Sequence, residues 1–334
     1  MRQHDKSKRN MIIGLAAVIV VIVLAAILAN RMSGASTTVP ESAPASAGAS
    51  AEEADEKLKV APVSLDTADA VLEFIDPAQV VAIPKSISNP YLAVNADIGK
   101  QIANPISGAI GLDPEAILSF QPDLVLLTKV HHTESDAEEL LRQAGVNVIT
   151  FDQWGTFEAV MGNYRKIGEA VGEAEKGALI AEEIEAKLQQ AAARTAKLTA
   201  KPSVLVLSPV GPNTGPYVIG PGNIAYDMIR LAGAEPAADA LGIAKSIKAS
   251  IEDLIKIDPD YIVLGDWDGT GEEWLSGLKS DPQWNTLTAV RQGRIMTMKA
   301  KDLLAPNRYT VDGMLHMSAW LHPDLWKDGE ADHE

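Results

Sequence analysis

The sequence predicts an α/β protein: two parallel-sheet α/β lobes joined by a single long α-helix, preceded by an N-terminal transmembrane helix and a disordered linker. Three observations carry this expectation. A stretch at 112–127, LDPEAILSFQPDLVLL, returns at 249–264 as ASIEDLIKIDPDYIVL, which implies two similar lobes. Short apolar runs alternate with helical segments on either side of the chain's middle, the pattern of parallel sheets. Between 156 and 198 strand character nearly vanishes, leaving an Ala-, Glu- and Lys-rich segment.

The elements follow in order. Arg2, Lys6, Lys8 and Arg9 make residues 1–10 a basic segment, expected on the cytoplasmic side. Residues 11–29 are uncharged and rich in Val, Ile, Leu and Ala. A helix of that length rises roughly 28 Å, close to the hydrocarbon thickness of a bilayer. A cleaved signal peptide is the alternative, although its apolar core usually spans only about 7–15 residues. Residues 30–62, mostly Ala, Ser, Gly, Pro and Glu, lack the large apolar side chains that folding requires and read as a flexible tether.

The N-terminal lobe is expected over 63–157, with a helix from Ser64 to Ile75 and QVVAIP (79–84) as its first buried strand. In the repeat, Asp113 and Ser250 suit the N-cap, Pro114 the first helical position, and Glu115 and Glu252 the first turn, where the helix dipole favours an anion. Pro122-Asp123 and Pro259-Asp260 then stop each helix before a buried strand. NVITF (147–151) completes the lobe. An interlobe helical segment follows at 158–199, in which Glu173 to Leu198 alone would make a rod of roughly 39 Å. The C-terminal lobe, 200–330, holds strands at 202–208, in the second repeat and at 293–299, and closes with a helix from Thr310 to Leu321. Ligands of open parallel sheets bind at the carboxyl ends of the strands. The cleft is therefore expected among the loops after residues 84, 127, 151, 208, 264 and 299.

Composition narrows the function. A net charge of −16 over 334 residues argues against a nucleic-acid surface, which needs clustered Lys and Arg. The absence of cysteine excludes disulfides, thiolate metal sites and a thiol nucleophile. The sequence contains no G-x-S-x-G elbow, no H-E-x-x-H and no phosphate-binding G-x-x-x-x-G-K-[ST] loop. Trp154 and Trp267 stand just past predicted strand ends, where a flat aromatic can stack on a ligand, and Tyr91 belongs to the first cleft loop. His131 and His132 are candidate ligands for a metal or haem iron, but neighbours on an extended segment point oppositely, so at most one faces a cleft. His316 and His322 are too poorly aligned for a compact metal site.

Taken in order, VVAIP, the E-x-I-x(4)-PDLVLL unit, LLRQAGVNVITFD, IGEAVGEAEKGALIAEEIEAKL, IGPGNIAYDMIRLAGAEPAAD, IEDLIKIDPDYIVL, WNTLTAVRQGRI and LHPDL span roughly 65–330. This series resembles the solute-binding proteins of ABC importers for iron-siderophores, haem and cobalamin. The resemblance implies one ligand between two lobes that move modestly, because the connecting helix is stiff. It also implies a carboxylate on each lobe, Glu115 and Glu252, that docks with arginines of the permease. From the residues alone, both would only complement helix dipoles, an effect of roughly 0.3–1 kcal/mol. Carried over by the same resemblance, Tyr217 and Arg308 join Tyr91, His131, His132, Trp154 and Trp267 as ligand contacts. Tyr217 would present an aromatic ring, and Arg308 would neutralise an anionic chelate or cap a nearby carboxylate.

The expected activity is therefore binding rather than catalysis, with no cofactor and no resident metal. The chain is expected to be an extracytoplasmic receptor, held at the cell membrane by a single N-terminal pass, that delivers its ligand to an ABC permease and its ATPase. The missing cysteine removes the lipid anchor common in this family, and the apolar helix would substitute for it. A ferric siderophore leads as ligand, with cobalamin or another corrinoid and haem as alternatives. A haem reading would pair one histidine with Tyr217 as axial ligands. Two other readings stand beside this one: a membrane-tethered α/β enzyme with an interlobe cleft, and a tethered receptor without a permease.

Overall fold

In the computed structural model the described residues are 57–108, 111–129, 132–209 and 216–327. The basic segment 1–10, the expected membrane helix 11–29, most of the linker and His131 lie outside them. Among the described residues no helix is long and apolar enough to cross a membrane.

The chain begins with β1 (Val60–Pro62), α1 (Leu65–Val71), β2 (Ile83–Pro84), α2 (Ala96–Gly99), β3 (Pro105–Ile106), α3 (Pro114–Ser119), β4 (Leu124–Thr128), α4 (His132–Gln143) and β5 (Asn147–Phe151). Strands β1, β4 and β5 form a parallel sheet in the order β1-β4-β5, with Val60 opposite Leu124 and Leu124 opposite Asn147. Two helices follow, α5 (Phe157–Ala170) and α6 (Ala174–Thr195). The second half contains β6 (Ser203–Pro209), β7 (Pro216–Val218), α7 (Ile224–Leu231), β8 (Glu235–Pro236), β9 (Ile247–Lys248), α8 (Ile251–Ile257), β10 (Tyr261–Asp266), α9 (Gly271–Ser280), α10 (Thr288–Arg291), β11 (Ile295–Lys299), α11 (Ala300–Leu303) and α12 (Thr310–Leu321). Its parallel core runs β6-β10-β11, the order of the first sheet repeated.

The repeat explains that equivalence at the level of single atoms. Asp113 caps α3 by accepting from Glu115 and Ala116 N–H groups, and Ser250 caps α8 by accepting from Asp253 N–H. Each helix stops at a left-handed residue before proline, Gln121 (φ 51°) and Asp258 (φ 38°), because the proline ring clashes with a helical predecessor. The following aspartate then reaches the neighbouring strand. Asp123 Oδ2 accepts from Lys59 N–H at 2.8 Å, and Asp260 Oδ2 accepts from Ser203 N–H at 2.8 Å. The shared Pro-Asp thus pins the start of β1 against β4 and of β6 against β10.

Three expectations change. The flexible tether expected over 30–62 stops short of β1, in which Val60 and Ala61 are fully buried. The run 79–84 contributes only an isolated bridge at Val80 and the two-residue β2, which pairs with β3 outside the main sheet. The second sheet is mixed, since β7 pairs antiparallel with β6, and β9 with β7. Only six residues separate β6 from β7, too few for the crossover that a parallel partner would need, and the two strands pair antiparallel.

The segment between the sheets is a pair of packed helices. A Cβ on Gly168 would come within 2.7 Å of the Glu173 carbonyl, and one on Gly177 within 2.8 Å of the Tyr164 carbonyl. These glycines are the close-approach points of α5 and α6. A continuous core then joins both halves: Val60, Leu124 and Phe151 from the first, Tyr164, Ile167, Ile180 and Ile184 from the helix pair, and Val204, Val263, Met314 and Met317 from the second.

A truncation test follows from β1. A chain starting at Lys57 keeps the backbone pairing of β1, whereas one starting at Val63 removes two fully buried side chains and the edge that Asp123 pins. The shorter chain is expected to be destabilised by about 3–5 kcal/mol, on the scale of core truncations. Urea unfolding of the two fragments checks this, and equal midpoints would contradict it.

The interlobe cleft

Among the described residues, two adjoining cavities open between the halves. The first, about 300 Å³, is lined by Ser64 at the N-cap of α1 and Leu65, Asp66 and Asp69 within that helix, by Ser86 and Leu92, and by Thr128 and Glu134 at and beyond the end of β4. Its other wall is Trp267 after β10, with Ala300 and Leu304–Pro306 after β11. The second, about 460 Å³, is lined by Lys129, Asp152–Thr156 and Gly222–Ile224, and shares Asp66, Thr128, Leu304 and Pro306 with the first. Together they fall in the size range of small-molecule sites. Most of these residues follow strand carboxyl ends, the placement expected of an open parallel sheet.

Asp66 sits where the cavities meet. Thr128 Oγ1 donates to its Oδ1 at 2.8 Å, and the Thr67 N–H donates to the same oxygen at 2.7 Å. Trp154 Nε1–H in turn donates to Thr128 Oγ1 at 3.0 Å. The chain Trp154–Thr128–Asp66 fixes the carboxyl on the cleft floor. Burial pushes the Asp66 pKa up to about 6, the nearby Glu134 adds to the rise, and the hydrogen bonds oppose it. Burial also raises the Asp69 carboxyl, which accepts from Val94 N–H, Asn95 N–H and Asn95 Nδ2 at 2.9, 2.8 and 3.1 Å and so anchors that loop. Asp66, Thr128 and Glu134 were not anticipated from the sequence.

The raised pKa has a defined consequence for stability. The folded state holds the Asp66 proton more tightly than an unfolded chain with the ordinary value of 3.8. The stabilisation is therefore fullest below that value and is lost as pH rises through about 6. Asp66→Asn keeps the acceptor oxygen and removes the buried charge. It is expected to raise stability at pH 7.5 by about 1–2 kcal/mol, with the shift scaled down for cleft water, and to change little at pH 4. Thermal melts at the two pH values check this; equal changes at both would contradict it.

The expected contacts are distributed as follows. Trp154 is buried, lines the second cavity and packs its ring 5.7 Å from that of Phe151. Trp267 lines the first cavity and donates from Nε1 to Ser208 Oγ at 2.7 Å. Tyr91 lines neither cavity. It closes the rim instead, its phenol against Gly269 (φ 90°) and its carbonyl accepting from Lys301 N–H at 2.8 Å. Asn89 Nδ2 also crosses the cleft to the Trp267 carbonyl, at 3.1 Å. At the opposite rim a Cβ on Gly155 would collide with the Gly222 carbonyl, and Phe157 N–H donates to Asp227 Oδ2 at 2.9 Å.

Tyr217 is half-buried in β7 opposite Ser208, away from both cavities. His132 opens α4, while His131 lies outside the described residues. Arg308 also turns away from the cleft. It pairs with Glu73 Oε2 at 3.2 Å and with Glu183, and its N–H donates to Tyr164 Oη at 3.1 Å. Tyr164 Oη donates onward to Glu73 Oε1 at 3.1 Å. Arg308 therefore fastens the second half to the first half and to α6. Glu115 and Glu252 are exposed at matching positions in the first turns of α3 and α8, outside the cleft. Among the described residues, no group of three or more His, Asp and Glu is placed to hold a metal ion.

Comparison with known proteins agrees with this architecture. The periplasmic heme-binding protein RhuT from Roseiflexus sp. RS-1, in apo form, is 24% identical and superposes with a TM-score of 0.67, covering 80% of this chain and 99% of that one. A periplasmic heme-binding protein from Pseudomonas aeruginosa is 22% identical, with a TM-score of 0.65 over 79% of this chain and 92% of the other. An uncharacterised ABC transporter substrate-binding lipoprotein of Bacillus subtilis strain 168, YvrC, is 24% identical over 223 residues, 66% of this chain and 68% of its own length. The periplasmic binding protein family model matches residues 60–301, from the first strand of one sheet to just past the last strand of the other, and the chain belongs to that family.

Proposed function

We propose that this protein is the extracytoplasmic substrate-binding protein of an ABC importer. It holds an iron chelate or a related tetrapyrrole complex between its halves and passes it to the permease without making or breaking a bond. The observation that carries this reading is a cleft walled by both halves, flanked by two exposed glutamates at equivalent positions of a structural repeat. The Bacillus relative's description supports the ABC assignment. Residues 11–29 supply the membrane attachment in this reading, with the folded body outside. The helix pair and the continuous core would limit the halves to small movements.

The structural neighbours named for haem are fold likenesses at 24% identity or below. In this reading a ferric siderophore leads as ligand, with cobalamin or another corrinoid and haem as alternatives.

The test is tryptophan fluorescence of the Lys57-initiated fragment titrated with a ferric hydroxamate, a ferric catecholate, cobalamin and haemin, corrected for absorbance. Trp154 and Trp267 on the cavity walls should report one-to-one, saturable quenching by one of them. Flat curves for all four would remove the support for a chelate receptor.

A further inference from the structure

We propose that Ser208 and Asn89 are positioning residues that hold the Trp267 indole as a fixed stacking face for a ligand with a flat aromatic or macrocyclic ring. This deepens, and rests on, the receptor reading above. Trp267 stands just past β10 and lines the first cavity, and at 37% exposure it is far more open than the aromatics of the core. An aromatic side chain left that open is ordinarily free to change rotamer, yet this residue is tied at both ends. Its Nε1–H donates at 2.7 Å to Oγ of Ser208, which is itself buried near the end of β6. From the other half, Asn89 Nδ2 donates to the Trp267 carbonyl at 3.1 Å. Asn89 is set in turn by Tyr91 N–H, which donates to its Oδ1 at 2.9 Å, and by the Ser86 carbonyl, which accepts its N–H at 3.1 Å. The turn beyond Trp267 is closed by Asp266 Oδ1, which accepts from Gly269 N–H at 2.8 Å.

The bonding partner decides what the ring can offer. An indole has one polar hydrogen, and Ser208 takes it, so what Trp267 presents to the cavity is its π surface. Burying apolar area requires no particular ring orientation, whereas stacking is directional and is worth about three- to tenfold in affinity beyond the area buried. A plane fixed before binding secures that gain without the cost of ordering the side chain at the moment of association. A pinned indole therefore favours a flat partner. Leu65, Leu92, Leu304 and Pro306 line the same cavity and supply the apolar surroundings a ring requires. The first half repeats the device, since Trp154 Nε1–H donates at 3.0 Å to Thr128 Oγ1 at the end of β4. Trp154 is only 6% exposed and packs on Phe151, so its ring belongs to the wall, and Trp267 is the face held out to a ligand. Ser208 fixes the ring, and Asn89 fixes the backbone that carries it.

The full-length chain in nanodiscs is titrated calorimetrically, with empty nanodiscs subtracted, against haemin, cobalamin, a ferric tris-catecholate and an aliphatic ferric trihydroxamate. Only the trihydroxamate carries no aromatic or macrocyclic ring. A ring-bearing probe is expected to saturate one-to-one. Trp267→Leu should weaken that probe by about 30-fold or more. Ser208→Ala and Asn89→Ala should each weaken it by about three- to tenfold, and Ser208→Thr should stay within about twofold of wild type. The same chain labelled with 5-fluorotryptophan gives a readout that needs no ligand, with one fluorine resonance for each of its six tryptophans. The resonance lost in Trp267→Leu should shift and broaden in Ser208→Ala and return in Ser208→Thr, while the others stay in place. A Trp267 resonance unmoved by Ser208→Ala would overturn the inference, as would an unchanged affinity in Ser208→Ala or in Asn89→Ala. Saturation by the trihydroxamate alone overturns it and leaves the receptor reading standing, whereas no saturation by any of the four overturns both.

Discussion

Reversing Glu115 and Glu252 together to lysine is expected to reduce ligand-dependent stimulation of the partner ATPase to background while leaving ligand affinity within about twofold. The two side chains are exposed, lie outside the cleft and start equivalent helices in the two halves. Losing one partner of an interfacial charge pair costs about 2–5 kcal/mol, so each single reversal should weaken docking by about 30-fold or more. The purely structural alternative, that both merely complement helix dipoles, allows only roughly 0.3–1 kcal/mol of stability per site and no defect in transport. ATPase assays in proteoliposomes, beside ligand titrations of the same variants, separate the two. Normal stimulation by the double variant would remove the docking role.

The second large effect is expected at Arg308. Its guanidinium is the counter-charge for Glu73, whose side chain is only 9% exposed and whose remaining side-chain contact is the buried phenol of Tyr164. Arg308→Leu leaves that carboxylate inside the junction between the halves. Breaking a buried pair from one side costs about 3–5 kcal/mol, and the partial exposure of Arg308 puts the expected loss near the lower end, about 3 kcal/mol.

The pH dependence identifies the cause. Burial already raises the Glu73 carboxyl above its ordinary value even with Arg308 present. Without the arginine the rise is larger, so the folded state favours the protonated acid. The variant should then be close to wild type below the ordinary glutamate pKa of about 4.3 and lose stability as pH rises above it. Glu73→Gln in the same background should restore much of the loss at pH 7.5. A deficit that is constant with pH, or no rescue by Glu73→Gln, would show that the ion pair is not what fastens the halves.

The features legible in the sequence were those written in local chemistry. Asp113, Ser250 and the two Pro-Asp steps define helix ends and strand starts over a few residues, and α3, β4, α8 and β10 form where that chemistry places them. The strand β1 was hidden because its apolar run VAP is short, contains proline and follows a low-complexity stretch. Its pairing depends on Asp123, distant in sequence. The same omission concealed Asp66, which lies in the turn that β1 feeds.

Glu134 was hidden for a different reason. Both it and Asp66 occupy the first turn of a helix, where an acid is ordinarily explained by the dipole. Nothing local indicates that these turns face a cavity. Trp154 and Trp267 were easier to place, because the end of a parallel strand already marks the cleft. Arg308 and Tyr217 were carried by resemblance, and their surroundings are set by contacts with α6 and with β6 and β9 that single positions do not reveal.

The most direct test of the central claim, that one ligand is held between the two halves, is hydrogen–deuterium exchange of the receptor with and without the chelate that saturates its tryptophan quenching. Protection is expected together in 64–69 and 128–138 of the first half and in 264–269 and 300–306 of the second, the segments that wall the cleft. Protection confined to one half, or appearing only away from these segments, would contradict a shared interlobe site.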